Sequence, residues 1–113
     1  MQIETTSALT DLSAIAAVPG VDVMFVGPSD LTWSLGIPGQ VDDDRYWAAV
    51  VDVAKAAKEN GKPAGVLLGN AEMALRYVEL GYTFIGLSAD AGFLQAAARS
   101  GLARIRDLTG LSA

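Results

Sequence analysis

The sequence predicts an α/β protein made of about four consecutive strand-then-helix units around a parallel sheet. Two observations carry this expectation. Short apolar β-type runs alternate with longer stretches of helical period, and Gly or Pro stands at nearly every junction. Consecutive β/α units also imply parallel strands joined by right-handed crossovers. At 113 residues the chain suffices for one domain, or for part of a larger one. A domain of that size buries roughly 65% of the surface its unfolded chain exposes.

Residues 1–5 read as a first strand that begins almost at its carboxyl end, as though truncated. A helix rich in Ala and Leu follows from about Ser7 to Val18 and stops at Pro19-Gly20. Val21–Val26 is the clearest strand, mostly apolar and closed by Gly27, as suits a parallel strand buried on both faces. Gly27-Pro28-Ser29-Asp30-Leu31 offers a helix start, with a short helix through about Leu35 and a loop at Gly36-Ile37-Pro38-Gly39. Asp42-Asp43-Asp44 precedes a long amphipathic helix from Arg45 to Asn60, three acids complementing its dipole. Along it Ala48, Val51, Ala54 and Ala57 or Lys58 recur at helical spacing. Gly61 suits the position just past a helix end, and Ala64–Leu68 is the third strand. Asn70 is the expected N-cap of a helix from Ala71 to Leu80, ended by Gly81. Thr83–Ser88 forms the fourth strand, and Ala91–Leu108 the last helix.

Eight units of this size make a (β/α)₈ barrel of about 250 residues, so four are half of one. A small open doubly wound sheet satisfies the same pattern, and periodicity leaves both open. The difference has consequences, because half a barrel leaves two sheet edges and an apolar inner face uncovered.

Composition removes several functions. Thirteen Asp and Glu against eight Lys and Arg give a net charge of −5, with the basic residues scattered, so there is no electrostatic footprint for nucleic acid. Without cysteine there is no disulfide scaffold, thiolate metal site or nucleophilic thiol. Without histidine the commonest general base and metal ligand is missing, so chemistry must rest on carboxylates, backbone amides and hydroxyls. No apolar run reaches the 18 or so residues of a membrane span, and no basic, then hydrophobic, leader opens the chain. A soluble cytoplasmic protein is expected.

In parallel α/β folds the working groups gather where strands end and helices begin. Four such points exist: Gln2-Ile3-Glu4-Thr5, Gly27-Pro28-Ser29-Asp30, Leu67-Leu68-Gly69-Asn70 and Leu87-Ser88-Ala89-Asp90. Glu4 and Asp30 are acids at the ends of neighbouring strands, placed to converge on one divalent cation. An all-oxygen set suits Mg²⁺ or Mn²⁺, with water or substrate filling the open positions. The plainer reading makes Glu4 a solvated acid and Asp30 a helix cap. Asp90 reads as a cap, and Asp42-Asp43-Asp44 as a solvated helix start. Gly27-Pro28-Ser29-Asp30 has a second use, since free amides at a helix start attract a carboxylate or phosphate. Gly65, Gly69 and Gly86 do not fall in a Walker or Rossmann spacing.

These residues resemble the HpcH/HpaI aldolase family of metal-dependent class II pyruvate aldolases with the TIM-barrel fold. The likeness rests on Gln2-Ile3-Glu4-Thr5, Ala17-Val18-Pro19-Gly20-Val21-Asp22, Phe25-Val26-Gly27-Pro28-Ser29-Asp30-Leu31, Ser34-Leu35-Gly36 and Pro38-Gly39. Gly61-Lys62, Tyr77 through Gly81 and Phe84 continue it. It covers essentially the whole chain, and implies that residues 1–113 form the carboxyl-terminal half of such a domain. By resemblance, Glu4 and Asp30 are ligands for Mg²⁺, Mn²⁺ or Co²⁺. Pro28, Ser29 and Asp30 match the segment whose backbone amides hold the pyruvate carboxylate, Gly27 the glycine before it, Gln2 a polar residue beside the metal, and Leu67 an apolar wall. The implied reaction breaks or forms the C–C bond of a 4-hydroxy-2-keto acid, yielding pyruvate and an aldehyde, with the metal as Lewis acid.

Two departures qualify the likeness. The family's histidine base and substrate-binding arginine belong to the amino-terminal half, and Arg45, Arg76, Arg99, Arg104 and Arg106 all lie in or near predicted helices. No catalytic residue is therefore assigned within this chain. Thr32-Trp33 also stands where the family has small residues, narrowing the pocket or covering exposed surface. Two roles follow: an aldolase half that binds metal and keto acid but is incomplete alone, or a non-catalytic half-barrel remnant serving oligomerisation. In both a homo-oligomer is expected, with the family's habit of exchanging its last helix making Ala91–Leu108 the swapped element. An independent flavodoxin-like domain is the third reading, and requires an open sheet.

Overall fold

A computed structural model describes residues 1–111. Its strands are β1 (Gln2–Ile3), β2 (Met24–Val26), β3 (Ala64–Leu68) and β4 (Tyr82–Leu87). Its helices are α1 (Thr6–Thr10), α2 (Leu12–Ala17), α3 (Pro28–Ser34), α4 (Asp44–Glu59), α5 (Ala74–Glu79) and α6 (Asp90–Thr109). All four strands pair in parallel in the order β1-β2-β3-β4. That order decides between the two architectures. A doubly wound sheet reverses direction at a switch point and so carries helices on both faces. Strands that advance one way through crossovers of one hand place every helix on a single face, as in a barrel wall.

Side-chain burial follows the same asymmetry. The helix-facing residues Ile3, Met24, Val26, Ala64, Val66 and Leu68 are buried, whereas Leu67 and Phe84 on the other face are 46% and 54% exposed. There Phe25 and Phe84 meet edge to face with centroids 6.0 Å apart, lining a bare apolar concavity. The molecule is thus four β/α units of a barrel wall, and the flavodoxin-like reading is excluded.

Packing also corrects several boundaries. The first expected helix breaks at Asp11 into α1 and α2. Its segment is dense in Thr, Ser and Asp, whose side chains bond nearby backbone instead of tolerating a long helix: Thr5 caps Ala8, and Thr10 donates to the Ser7 carbonyl at 2.7 Å. Strand β2 loses Val21–Val23, and Met24 N–H bonds the carbonyl of Pro63, a residue that has no N–H to extend the ladder. Helix α5 starts at Ala74, because Asn70 Oδ1 accepts from Met73 N–H and closes a turn instead of capping at Ala71.

The apolar stripe of α4 is rotated from the expected one. Tyr46, Trp47, Val50, Val53, Ala54 and Ala57 are buried, while Ala48, Val51 and Lys58 face solvent. Aromatic rings bury the most area and set the phase. Tyr46, Trp47, Tyr77 and Tyr82 form one cluster, with Tyr46 and Tyr77 hydroxyls 2.6 Å apart and Tyr82 donating to the Val50 carbonyl at 2.9 Å. The Arg76 guanidinium lies 3.5 Å above the Trp47 ring.

Helix α6 stands apart, since none of its residues is buried. Phe93, Leu94, Leu102, Ile105 and Leu108 are exposed, and so are Ile85 and Leu87 on the helix-facing side of β4. The molecule extends 58 × 27 × 22 Å with a radius of gyration of 17.5 Å. A compact chain of this length has about 13 Å.

Candidate metal centre

Register brings the first two strand ends together. Gln2 pairs with Phe25 and Ile3 with Val26, so Glu4 arrives beside Gly27, whose N–H donates to the Ile3 carbonyl at 3.1 Å. Alternation then puts Gln2 and Glu4 on the concave face. A Cβ at position 27 would lie 2.7 Å from Gln2 Nε2, 3.2 Å from Glu4 Oε2 and 3.3 Å from Glu4 Cβ. Glycine is needed here because the amide of Gln2 and the carboxylate of Glu4 lie directly over the backbone.

Gly27 caps α3 and Pro28 takes the first helical position, where its missing N–H costs nothing. The N–H groups of Ser29 and Asp30 follow at the open first turn, which has no intrahelical acceptors. Asp30 is an exposed acid inside that turn and not the cap, so the capping alternative fails for it. The turn is anchored from below by buried Leu31 and Thr32, whose hydroxyl donates to the Ser29 carbonyl at 2.7 Å and accepts from Gly39 N–H at 3.1 Å. Trp33 is 69% exposed and lies outside the cavity described next, so it does not narrow it.

A small cavity of about 200 Å³ opens at the same rim, lined by Pro28, Val41, Leu67, Leu68, Gly69, Met73 and Tyr77. Its lining carries no charged side chain. It joins Pro28 and Leu67, which come from separate strand ends and to which the family resemblance gives substrate-binding roles. One residue was missed. Ser34, four residues after Asp30, accepts from Thr6 N–H at 2.8 Å and approaches Thr6 Oγ1 at 3.4 Å. The available signal was a hydroxyl one helical turn beyond a candidate ligand.

The other acids are occupied differently. Asp43 caps α4 and holds Arg45, with Nη2 to Oδ2 at 2.9 Å, and this guanidinium keeps the Asp43 carboxyl below its ordinary range. Asp90 is the first residue of α6 instead of its cap, and accepts from Ala91 N–H at 2.7 Å. Among the described residues no three or more His, Cys, Asp or Glu side chains are grouped to hold a metal. Glu4, just past β1, and Asp30, in the first turn of α3 just past β2, stand at the same rim of the sheet. Such an oxygen-only set fits a hard divalent ion that keeps open positions for water or substrate.

Comparison with known proteins places the chain in a family. The family model for HpcH/HpaI aldolase/citrate lyase matches residues 1–97. A 4-hydroxy-2-oxo-heptane-1,7-dioate aldolase of Escherichia coli is 38% identical over 104 residues, covering 92% of this chain and 40% of that enzyme. A pyruvate aldolase of Rhizobium etli is 44% identical over 94 residues, covering 83% of this chain and 37% of the relative. The crystal structure of an HpcH/HpaI aldolase/citrate lyase family protein from Burkholderia cenocepacia superposes with a TM-score of 0.89 at 38% identity, covering 93% of this chain and 41% of that one. The chain therefore spans about 40% of the length of these relatives. Motif, strand order and similarity agree that this chain belongs to the HpcH/HpaI aldolase/citrate lyase family.

Proposed function

We propose that this chain is the metal- and keto-acid-binding half of a class II pyruvate aldolase, a carbon–carbon lyase acting on 4-hydroxy-2-keto acids. The observation that carries the reading is the close packing of Gln2 and Glu4 over Gly27, three residues before Asp30. Glu4 and Asp30 hold the divalent ion, Mg²⁺, Mn²⁺ or Co²⁺. When bound, that ion supplies Lewis-acid stabilisation of negative charge developing on the keto acid. The Ser29 and Asp30 amides, at the glycine-led start of α3, orient the pyruvate carboxylate. Pro28 and Leu67 form an apolar wall that excludes water beside it, and Gln2 supplies a polar contact. The proton-transfer base and the substrate-binding arginine come from the amino-terminal half of the barrel, and the aldehyde is shaped by that half as well.

The exposure of α6 favours a homo-oligomer in which this helix is exchanged, so that Ile85 and Leu87 are covered by α6 of a second copy. It equally serves the second reading, an assembly module without turnover, and metal binding separates the two. In calorimetry the folded chain takes up Mn²⁺ and then pyruvate or oxalate, and Glu4→Ala and Asp30→Ala abolish the uptake. A folded chain that binds no Mn²⁺ overturns the aldolase reading.

A further inference from the structure

We infer that Ser34 is a positioning residue that sets the spacing between Glu4 and Asp30, an inference that rests on the metal reading above. Strand β1 ends at Ile3, so Glu4 lies one residue beyond the ladder and its backbone needs other restraints. Two hydrogen bonds bracket it. On one side the Ile3 carbonyl accepts from Gly27 N–H at 3.1 Å, and on the other Thr6 N–H donates to Ser34 Oγ at 2.8 Å. Both brackets come from the segment that carries Asp30, one three residues before it and one four residues after it.

Asp30 and Ser34, at i and i+4, lie on one face of α3, so the helix face that carries the acid is the face tied to Thr6. The tie is completed by Ser34 Oγ–H donating towards Thr6 Oγ1 at 3.4 Å. Next to it Thr5 Oγ1 accepts from Ala8 N–H at 3.2 Å and meets Ser7 Oγ at 3.0 Å, fixing the first turn of α1. Glu4 and Thr5 are thus the two residues between a strand end and a helix start that are both held to residues 27–34. The Ser34–Thr6 bonds are exposed, so water replaces them at little cost in stability. What they provide is pre-organisation. Two carboxylates from separate elements chelate one ion well only if their separation is set before the ion arrives.

The test is Mn²⁺ titration of the full chain, as wild type, Ser34→Ala and Ser34→Thr, followed by calorimetry and by amide hydrogen exchange at Thr6. Ser34→Ala weakens Mn²⁺ binding about tenfold, the low end for groups that orient a metal ligand. It also abolishes protection of the Thr6 amide, leaving the melting temperature and far-UV dichroism unchanged. Ser34→Thr keeps a hydroxyl and restores both affinity and protection. Ser34→Ala binding Mn²⁺ as tightly as wild type overturns the positioning role while the site reading stands, and so does failure of Ser34→Thr to restore affinity. Wild type failing to bind Mn²⁺ overturns both.

Discussion

At position 27 a hydrogen atom in place of a methyl group decides where the side chain of Glu4 can lie. Of the three nearest atoms, Gln2 Nε2 and Glu4 Oε2 are the far ends of flexible side chains and can swing away, whereas Glu4 Cβ at 3.3 Å cannot. The backbone at 27 has φ −96°, open to any residue, so the strain of Gly27→Ala falls on the neighbours. The expected outcome is a folded protein destabilised by about 1 kcal/mol, as for mild overpacking, with Mn²⁺ affinity lowered at least about tenfold. Thermal melts and calorimetry check it, and unchanged affinity would mean that Glu4 does not need this seat. The two acids were legible in the sequence because strand ends in parallel folds concentrate chemistry. Ser34 was not, because its bond to Thr6 joins residues 28 positions apart and depends on how α3 is aimed.

At the scale of elements, alternation and Gly/Pro punctuation located every strand and most helices, while boundaries and phase yielded to tertiary contacts. Alanines in α4 fit more than one stripe. Tyr46 and Trp47 chose among them by packing on Tyr77 of α5 and near Tyr82 of β4, a choice that depends on elements distant in sequence. This cluster holds all three tyrosines of the chain, and burial raises each phenol above its ordinary value. A phenol with a raised folded value binds its proton more tightly when folded. Its stabilising effect is therefore complete below the unfolded value of about 10 and is lost as pH rises above it. Absorbance at 295 nm should stay flat through pH 10, then rise for all three phenols together with loss of helical dichroism. Graded ionisation near pH 10 with the fold intact would contradict this packing.

At the scale of the whole molecule, the alternation of strands and helices left barrel wall and open sheet equally possible, because both share it. Strand order separated them, and strand order is a tertiary fact. The same order exposes the concave face of Phe25, Leu67 and Phe84, while α6 turns its apolar residues to solvent. Exchange of α6 between copies predicts dimers or larger species by light scattering at micromolar concentration. Leu94→Asp with Ile105→Asp, both exposed on α6, should give monomers with unchanged helical content. A monomeric wild type at that concentration would contradict the exchange.

Whether Glu4 and Asp30 grip one divalent ion is settled by crystals grown with Mn²⁺ and read through manganese anomalous scattering. The expected result is a single strong peak shared by the two carboxylates, with none at Asp43 or Asp90 and none at the site in Asp30→Ala crystals. Full manganese exposure with no peak there, and the two side chains turned apart into solvent, would contradict it.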